Sequence, residues 1–295
     1  YVNFIFSLFK DDLKGKVDND FKVVIDTANG ATYKVAEEIF KMLGINVTVI
    51  NNKPDGININ KECGSTHLEN LKSVVKEQGA SIGIAYDGDG DRCLLVDSCG
   101  NTVDGDIILA ILSKYLRDNG MLKKDTIVAT VMSNLGLKKY AADNNLNLVQ
   151  TKVGDRYVLE SMLENGYNLG GEQSGHIIFL DYNPTGDGIL TSLMVIRALV
   201  KQQMTLQEAA KIVRIYPQVL VNAKVNSDKK YDYEKDQIIL EQIKKLEDEF
   251  CGNGRVLIRP SGTEPLVRVM IEGEDKEYIL SKATEMANLI EERLK

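Results

Sequence analysis

The sequence predicts an α/β fold, with two α/β domains on mostly parallel mixed sheets and a small α+β domain at the C-terminal end. Residues 21–51 and 126–153 each contain an apolar run, a polar turn, a helical pattern and a second apolar run, which is a weak internal duplication. From about residue 216 the pattern changes to three apolar strands and two charged helices. We therefore predict domains at 1–120, 121–214 and 215–295.

The first domain is read in order from its apolar and polar runs. The start, YVNFIFSLFK, fits an amphipathic helix or a linker, and it is too short and lacks the leader features of a membrane span or signal peptide. FKVVID and INVTVI are strands around the helix YKVAEEIFKML, which Gly44 ends. DTANGAT is interpreted as a structural turn. A helix near 67–78 precedes the strands SIGIAY and RCLLVD, and the helix DIILAILSKYLRDNG ends at Gly120.

The second and third predicted domains also show alternating strand and helix patterns. TIVATVM and LNLVQTKV are strands around the helix LKKYAADN, and the helices GDRYVLESMLENG and GILTSLMVIRALVKQ lie on either side of the segment NLGGEQSGHIIFLD. In the last domain QVLVNAKV, GRVLIR and LVRVMIE are strands. YEKDQIILEQIKKLEDEF and KEYILSKATEMANLIEERL are helices, so a small α+β domain with an antiparallel sheet is predicted.

Composition excludes several classes of protein. Lys and Arg number 36 against 43 Asp and Glu, a net charge of −7, which argues against a nucleic-acid partner because such proteins need a basic face. The four cysteines form no CxxC pair, so we expect reduced thiols in the cytoplasm and no zinc site. No membrane partner is expected.

The stretch IAYDGDGDR indicates a metal site. Asp87, Asp89 and Asp91 alternate with glycines after a predicted strand, so their carboxylates can turn the same way around a small cation. Oxygen ligands alone suit Mg²⁺ or Ca²⁺. A calcium EF-hand loop does not fit, because its sixth position would be Arg92 and its twelfth Ser98. A solvated turn is the structural alternative.

Three further loops have the composition of binding sites. RPSGTEP offers a guanidinium, hydroxyls and free backbone N–H groups for a phosphate, with another arginine on the next strand; an ordinary hairpin turn is the alternative. In GGEQSGH three polar side chains alternate and could grip a polar ligand; a satisfied structural histidine and a surface glutamate are the alternatives. In TKVGDRYV a lysine and an arginine lie at a strand end, where ligands bind in α/β sheets, and a surface ion pair is the alternative. The residues are Arg259, Ser261, Gly262, Thr263, Arg268, Glu172, Ser174, His176, Lys152 and Arg156.

The motifs DGDGDR, TKVGDRYV, GGEQSGH and RPSGTEPLVRVM occur in this order, and together they resemble the α-D-phosphohexomutases from about Leu13 to the end. That family has three related α/β domains and a C-terminal α+β domain around a cleft. The resemblance implies that this chain carries the second, third and fourth domains, and GEQSGH is most similar to the members that act on a hexosamine phosphate.

The resemblance also implies residue roles. Asp87, Asp89 and Asp91 would bind Mg²⁺, and Glu172, Ser174 and His176 would contact the substrate sugar. Arg92, Lys152 and Arg156 would line the site of phosphoryl transfer. The non-reacting phosphate would be held by the residues of the last domain, Arg259, Ser261, Gly262, Thr263 and Arg268.

One departure from the family pattern is large. The family nucleophile is a phosphoserine in a TASHNP-like motif of the first domain, and these 295 residues contain no such stretch. We therefore expect that the first domain of the same protein is missing and that the chain alone is inactive. Alternatives left open are a mannose or glucose phosphate mutase, a non-catalytic module that binds a sugar phosphate, and a calcium-stabilised structural protein.

Overall fold

The computed structural model describes residues 1–262 and 264–295, which form two compact units. Unit 1 comprises Tyr1–Ser133 and Leu137–Arg214, and unit 2 comprises Asn134–Gly136 and Ile215–Lys295. Both predicted α/β sheets lie in unit 1 and contribute to one core. The domain boundary near residue 120 therefore stays a prediction.

The first sheet of unit 1 has the strand order β2-β1-β3-β4-β5. Its β1 pairs in parallel with β2 and β3, whereas β4 and β5 are antiparallel additions at one side. The elements are α1 (Val2–Leu13), β1 (Lys22–Asp26), α2 (Val35–Met42), β2 (Asn46–Ile50), α3 (Glu69–Gln78), β3 (Ile82–Tyr86), β4 (Cys93–Asp97), β5 (Thr102–Val103) and α4 (Gly105–Asp118).

The second sheet repeats this topology with the order β7-β6-β8-β9. Here β6 pairs in parallel with β7 and β8, and β9 is antiparallel to β8. The elements are β6 (Thr126–Thr130), α5 (Leu135–Asp143), β7 (Asn147–Thr151), α6 (Asp155–Asn165), β8 (Leu169–Gly171), β9 (Ile177–Phe179), α7 (Gly188–Gln202) and α8 (Leu206–Ala210).

Two helices that are apolar on nearly every side form the middle of unit 1. In α4, 11 of 14 residues are buried, and in α7 12 of 15, so both helices are core elements and not surface helices. The Tyr86 hydroxyl lies 2.8 Å from Ser192 Oγ and joins β3 to α7. The N-terminal segment is the amphipathic helix α1, with Ile5, Phe9 and Leu13 buried at helical spacing.

Unit 2 is an antiparallel sheet of order β10-β12-β11 covered by two helices. An aspartate caps the N-terminus of each helix by accepting backbone N–H bonds, Asp236 for α9 and Asp275 for α10. The elements are β10 (Gln218–Lys224), α9 (Gln237–Phe250), β11 (Arg255–Pro260), β12 (Leu266–Glu272) and α10 (Lys276–Leu294).

A buried carboxylate ties the short segment Asn134–Gly136 to the rest of unit 2. Glu272, which is fully buried, accepts bonds from Leu135 N at 3.1 Å and Asn134 Nδ2 at 3.2 Å, and it pairs with Arg255 at 2.8 Å. Burial raises the pKa of Glu272, whereas Arg255 and the Leu135 backbone bond lower it. Asn134 also exchanges two bonds with the backbone of Tyr216.

The predicted fold class is confirmed, with both α/β sheets mixed and the last sheet wholly antiparallel. The elements absent from the prediction are short: α8 has five residues, β8 and β9 have three each, and β5 has two. In the part of the chain that the structure describes, we find no helix with the length and apolar character required to cross a membrane.

Candidate active site

The acidic loop between β3 and β4 brings its three aspartates together. One carboxylate oxygen from each of Asp87, Asp89 and Asp91 lies within 4.8 Å of the other two. Asp87 is 8% exposed, Asp91 is half-buried and Asp89 is exposed, so the cluster extends from the interior to the surface. Such an arrangement of oxygen ligands suits a hard divalent cation that also keeps waters.

Backbone N–H groups hold the innermost carboxylate. Asp87 Oδ1 accepts bonds from Gly90 N at 3.2 Å and Arg92 N at 3.1 Å, and Gly90 turns the loop with a φ of +80°. Burial raises the pKa of Asp87 to about 6, with the charges of Asp91 and Asp89 adding to the effect and the Arg92 backbone bond opposing it. The loop thus concentrates negative charge that a cation would neutralise.

The donor set passes a test of fit for a metal ion. Asp91 Oδ1 is buried, and among the described residues it accepts no hydrogen bond. The Arg92 guanidinium is the nearest cation, with Nε 3.7 Å from Asp87 Oδ2 and 3.9 Å from Asp91 Oδ1, beyond hydrogen-bond distance. The pKa of Asp91 is raised as well, and burial is the largest cause. An orphaned carboxylate oxygen is what an oxygen-coordinated cation requires.

The GEQSGH loop, between β8 and β9, packs directly on the acidic loop. Arg92 and His176 form an antiparallel bridge, and Cys93 N donates to Gly175 O at 3.0 Å. Gly175 has a φ of +94°, and a Cβ there would lie 2.4 Å from Cys93 O. Glycine is therefore needed at this position both for the backbone conformation and for the close approach. The two predicted loops form one continuous site within unit 1.

The structure places His176 in the interior, whereas the sequence pattern predicts that it projects with Glu172 and Ser174 toward a ligand. His176 is 3% exposed, and its Nε2 accepts a bond from Gly186 N at 3.2 Å. Nε2 also lies 3.5 Å from Asp91 Oδ2. Burial lowers the pKa of His176, which favours the neutral ring. The buried His176 ring therefore packs against Asp91 on the interior side of the acidic loop.

Glu172 and Ser174 lie on the outer part of the loop. Ser174 is exposed, and Glu172 is half-buried with Oε1 accepting from Gly154 N at 3.1 Å. Gly154 has a φ of +130° and precedes α6, so this bond joins GEQSGH to the TKVGDRYV segment. Two motifs that were predicted separately are thus connected through a side chain and a backbone amide.

The structure does not bring the two basic residues of TKVGDRYV to the aspartates. Lys152 is exposed and lies 5.9 Å from the Tyr157 ring centre. The side chain of Arg156 is 80% exposed and pairs at 2.7 Å with Glu160, one turn along α6. Their role in phosphoryl transfer stays a prediction.

In unit 2 the predicted phosphate residues cluster at the β11–β12 hairpin. Arg259 and Arg268 are direct partners in the ladder, so two like charges share one face of the sheet. Their Nε atoms are buried and find no acceptor among the described residues, and burial together with Arg268 lowers the pKa of Arg259. This arrangement is unfavourable unless an anion neutralises it.

The turn of that hairpin has one buried and one exposed residue among the described residues predicted to bind phosphate. Ser261 is buried, and its Oγ accepts from Glu264 N at 3.3 Å, while Glu264 pairs with Arg268 at 3.4 Å. Gly262 is exposed, and a Cβ there would meet nothing within 4 Å. The predicted Thr263 lies outside the described residues.

Two glycines of the stretch PTGDG belong to the site but were not singled out from the sequence. Gly188 N donates to Gly90 O at 2.9 Å, and a Cβ on Gly188 would lie 2.6 Å from Arg92 O. A Cβ on Gly186 would lie 2.5 Å from the His176 ring. The signal available in the sequence was a pair of glycines around Asp187 just before a helix.

Family models match nearly the whole chain. Models described as phosphoglucomutase/phosphomannomutase α/β/α domain II, α/β/α domain III and C-terminal domain match residues 1–100, 104–216 and 220–289, respectively. The chain belongs to the phosphoglucomutase/phosphomannomutase family. This family is the α-D-phosphohexomutase family that the motifs resemble, so the predicted family is confirmed.

Curated relatives within the family include phosphoglucosamine mutases. The protein from Acetivibrio thermocellus is 58% identical over 294 residues, covering 100% of this chain and 64% of the relative. The protein from Caldicellulosiruptor bescii is 58% identical over 285 residues, covering 97% and 64%. The chain thus spans about 64% of the length of these relatives.

Solved structures show the same fold. Aspergillus fumigatus N-acetylphosphoglucosamine mutase in complex with GlcNAc-6P and magnesium matches with a TM-score of 0.80 at 22% identity, covering 100% of this chain and 66% of that one. A phosphoglucomutase/phosphomannomutase family protein from Burkholderia thailandensis matches with a TM-score of 0.73 at 22% identity, covering 96% and 65%.

Proposed function

We propose that this chain supplies the metal, sugar and phosphate contacts of a phosphoglucosamine mutase, which interconverts glucosamine 6-phosphate and glucosamine 1-phosphate. The observation that carries the proposal is the three-carboxylate cluster joined through Arg92, His176 and Gly175 to the GEQSGH loop. Relatives named phosphoglucosamine mutase at 58% identity support the choice of sugar.

The proposed metal is Mg²⁺, held by Asp87, Asp89 and Asp91. When bound, Mg²⁺ supplies positive charge opposite the oxygens of a transferring phosphoryl group. Arg92 adds a guanidinium beside the same carboxylates, and the paired arginines of the β11–β12 hairpin hold the phosphate that does not react. Glu172 accepts a bond from a sugar hydroxyl, with Ser174 beside it.

The proposed reaction passes through a phosphoserine and a bisphosphate intermediate, and the serine lies on a further domain of the same protein. The proposal includes Lys152 and Arg156 as residues that reach the transferring group when substrate is present. The four free cysteines support a reducing, cytoplasmic setting.

Calorimetric titration of the purified chain tests this function. With Mg²⁺ present, glucosamine 6-phosphate is expected to bind more tightly than glucose 6-phosphate or mannose 6-phosphate. Tighter binding of glucose or mannose phosphate would favour a phosphoglucomutase or phosphomannomutase. Absence of binding by all three sugars would refute a sugar-phosphate site.

An activity assay supplies the second test. The chain alone is expected to show no mutase turnover, and activity is expected when the phosphoserine domain is present on the same protein. Robust turnover by the 295 residues would contradict the proposed division of roles. Binding without turnover in the longer protein would favour a sugar-phosphate sensor.

A further inference from the structure

The sugar-contacting residues of the proposed site lie on a loop, and a loop must be held in place if its side chains are to meet a ligand in one orientation. Glu172 and Ser174 flank Gln173, which belongs to the GEQSGH motif whose resemblance favours a hexosamine phosphate. The contacts of Gln173 point to a different use.

Gln173 is fastened to the start of α4 by its backbone and its side chain. Gly105 N donates to Gln173 O at 3.0 Å, and Gln173 Nε2 donates to Asp104 Oδ2 at 3.1 Å. Residues 104 and 173 are far apart in the sequence but adjacent in unit 1. One N–H of the Gln173 amide is therefore donated to a protein carboxylate.

Close packing at Gly105 fixes the same junction. A Cβ on Gly105 would lie 2.0 Å from Glu172 O and 2.9 Å from Gly175 N. No side chain fits there without moving the loop, so the backbone of the loop rests directly on the first turn of α4. Gly175 fixes the other end of the loop against β4.

The two oxygens of Asp104 have separate partners. Oδ1 accepts from Ile107 N at 3.1 Å and caps the buried helix α4, and Oδ2 accepts from Gln173. One carboxylate thus links the buried helix α4 to the middle of the GEQSGH loop. Bonds to an ionised acceptor are stronger than neutral ones, which suits a positional restraint.

We propose that Asp104 and Gln173 are positioning residues that orient Glu172 and Ser174 toward the sugar. This proposal rests on the proposed sugar-phosphate site. A positioning role predicts that breaking the pair weakens binding of every sugar phosphate alike. Direct recognition predicts a loss confined to the amino sugar.

The substitution D104N breaks the pair while preserving the helix cap. An asparagine Oδ1 still accepts from Ile107 N, but its NH₂ group then faces the NH₂ group of Gln173. In the double variant D104N/Q173E, the NH₂ group of residue 104 can donate to the carboxylate at residue 173. The double variant has the same net charge as the parent. Q173E alone sets two carboxylates against each other. D275N, at the cap of α10, controls for an Asp-to-Asn change at a helix N-terminus.

Calorimetry with Mg²⁺ and glucosamine 6-phosphate or glucose 6-phosphate reads the effect. We expect D104N and Q173E to weaken both ligands about tenfold, with D104N keeping the parent melting temperature and the double variant recovering most of the affinity. D275N is expected to match the parent. Parent-like binding by D104N, a loss only for glucosamine 6-phosphate, or no recovery in the double variant would overturn the proposal.

Hydrogen exchange of residues 170–178 separates this proposal from the proposed function. Glu172 N and Gly175 N are bonded within the loop, to His176 O and Glu172 O. D104N is expected to speed their exchange about tenfold and the double variant to restore it, whether or not the parent binds sugar. Unchanged exchange in D104N would refute the positioning role, whereas absence of sugar binding by the parent would refute only the function.

Discussion

The four strands of the second sheet of unit 1 repeat the order and connections of the first four strands of the first sheet, but equivalent loops carry different chemistry. The β3–β4 loop holds three carboxylates around two glycines, and the β8–β9 loop holds Glu172 and Ser174 with neutral neighbours. The topology therefore fixes where a loop lies, whereas its own side chains decide what it can bind. Because the two loops contact each other, the repeated topology brings the proposed metal-binding wall beside the proposed sugar-binding wall.

The largest expected effect comes from the junction between the two loops. Gly175→Ala is expected to lower the free energy of unfolding by about 3 kcal/mol, because its φ is +94° and its Cβ would lie 2.4 Å from Cys93 O. Gly79→Ala is the control, with a φ of +58° and nothing within 4 Å, and about 1 kcal/mol is expected. Urea denaturation measures both. Equal losses would mean that the contact between the loops adds nothing.

The next effect tests the acidic loop alone. Asp89→Asn is expected to weaken Mg²⁺ binding at least about tenfold, because an exposed carboxylate ligand is lost without a change in the buried part of the cluster. Asp143→Asn, an exposed aspartate of the second repeat, is the matched control. Calorimetric Mg²⁺ titration compares them. Similar Mg²⁺ affinities of the two variants would contradict a metal site in this loop.

A smaller and complementary effect is expected in the other loop. Glu172→Gln keeps an oxygen for Gly154 N but loses the charge, so affinity for glucosamine 6-phosphate is expected to fall about fivefold while Mg²⁺ affinity stays within about twofold. Glu164→Gln, at an exposed glutamate of α6, is the control. Loss of Mg²⁺ binding in Glu172→Gln would show that the two walls are not chemically separate.

The smallest expected effect is a pH dependence of Mg²⁺ affinity, caused by Asp87 in the acidic loop. The pKa of Asp87 is raised from 3.8 to about 6, so folding favours its protonated form, and the stability that this contributes is lost as pH rises through 6. Mg²⁺ needs the ionised form, so its affinity is expected to fall about fourfold between pH 7.5 and 5.5. Mg²⁺ titrations at the two values measure it, and equal affinities would contradict the shift.

Much of the fold follows from local patterns that the sequence displays directly. The β-branched runs at β1, β3 and β6 and the helical spacing in α2 and α10 depend on neighbours within a few residues. The metal loop is equally local, because three aspartates in five residues need only a glycine turn to converge. Short strands such as β5 have too few residues to give a pattern.

Other parts of the site depend on contacts between distant segments. Nothing near His176 in the sequence indicates that Gly186 and Asp91 lie beside it, so the pattern could not decide between a ligand contact and a satisfied structural histidine. Gln173 and Asp104 meet only because α4 begins beside the loop. Arg156 has a partner one helical turn away in Glu160, and a pattern of charges does not say which of two roles the guanidinium takes.

Unit 2 is discontinuous in sequence, because Glu272 takes two of its hydrogen bonds from Asn134 and Leu135. A shortened polypeptide that starts at Ile215 would retain every strand of the antiparallel sheet but leave an acidic group in the interior facing Arg255 with fewer donors. Such a piece should fold more readily in mildly acidic buffer, and supplying residues 134–136 through a redesigned linker should relieve that requirement.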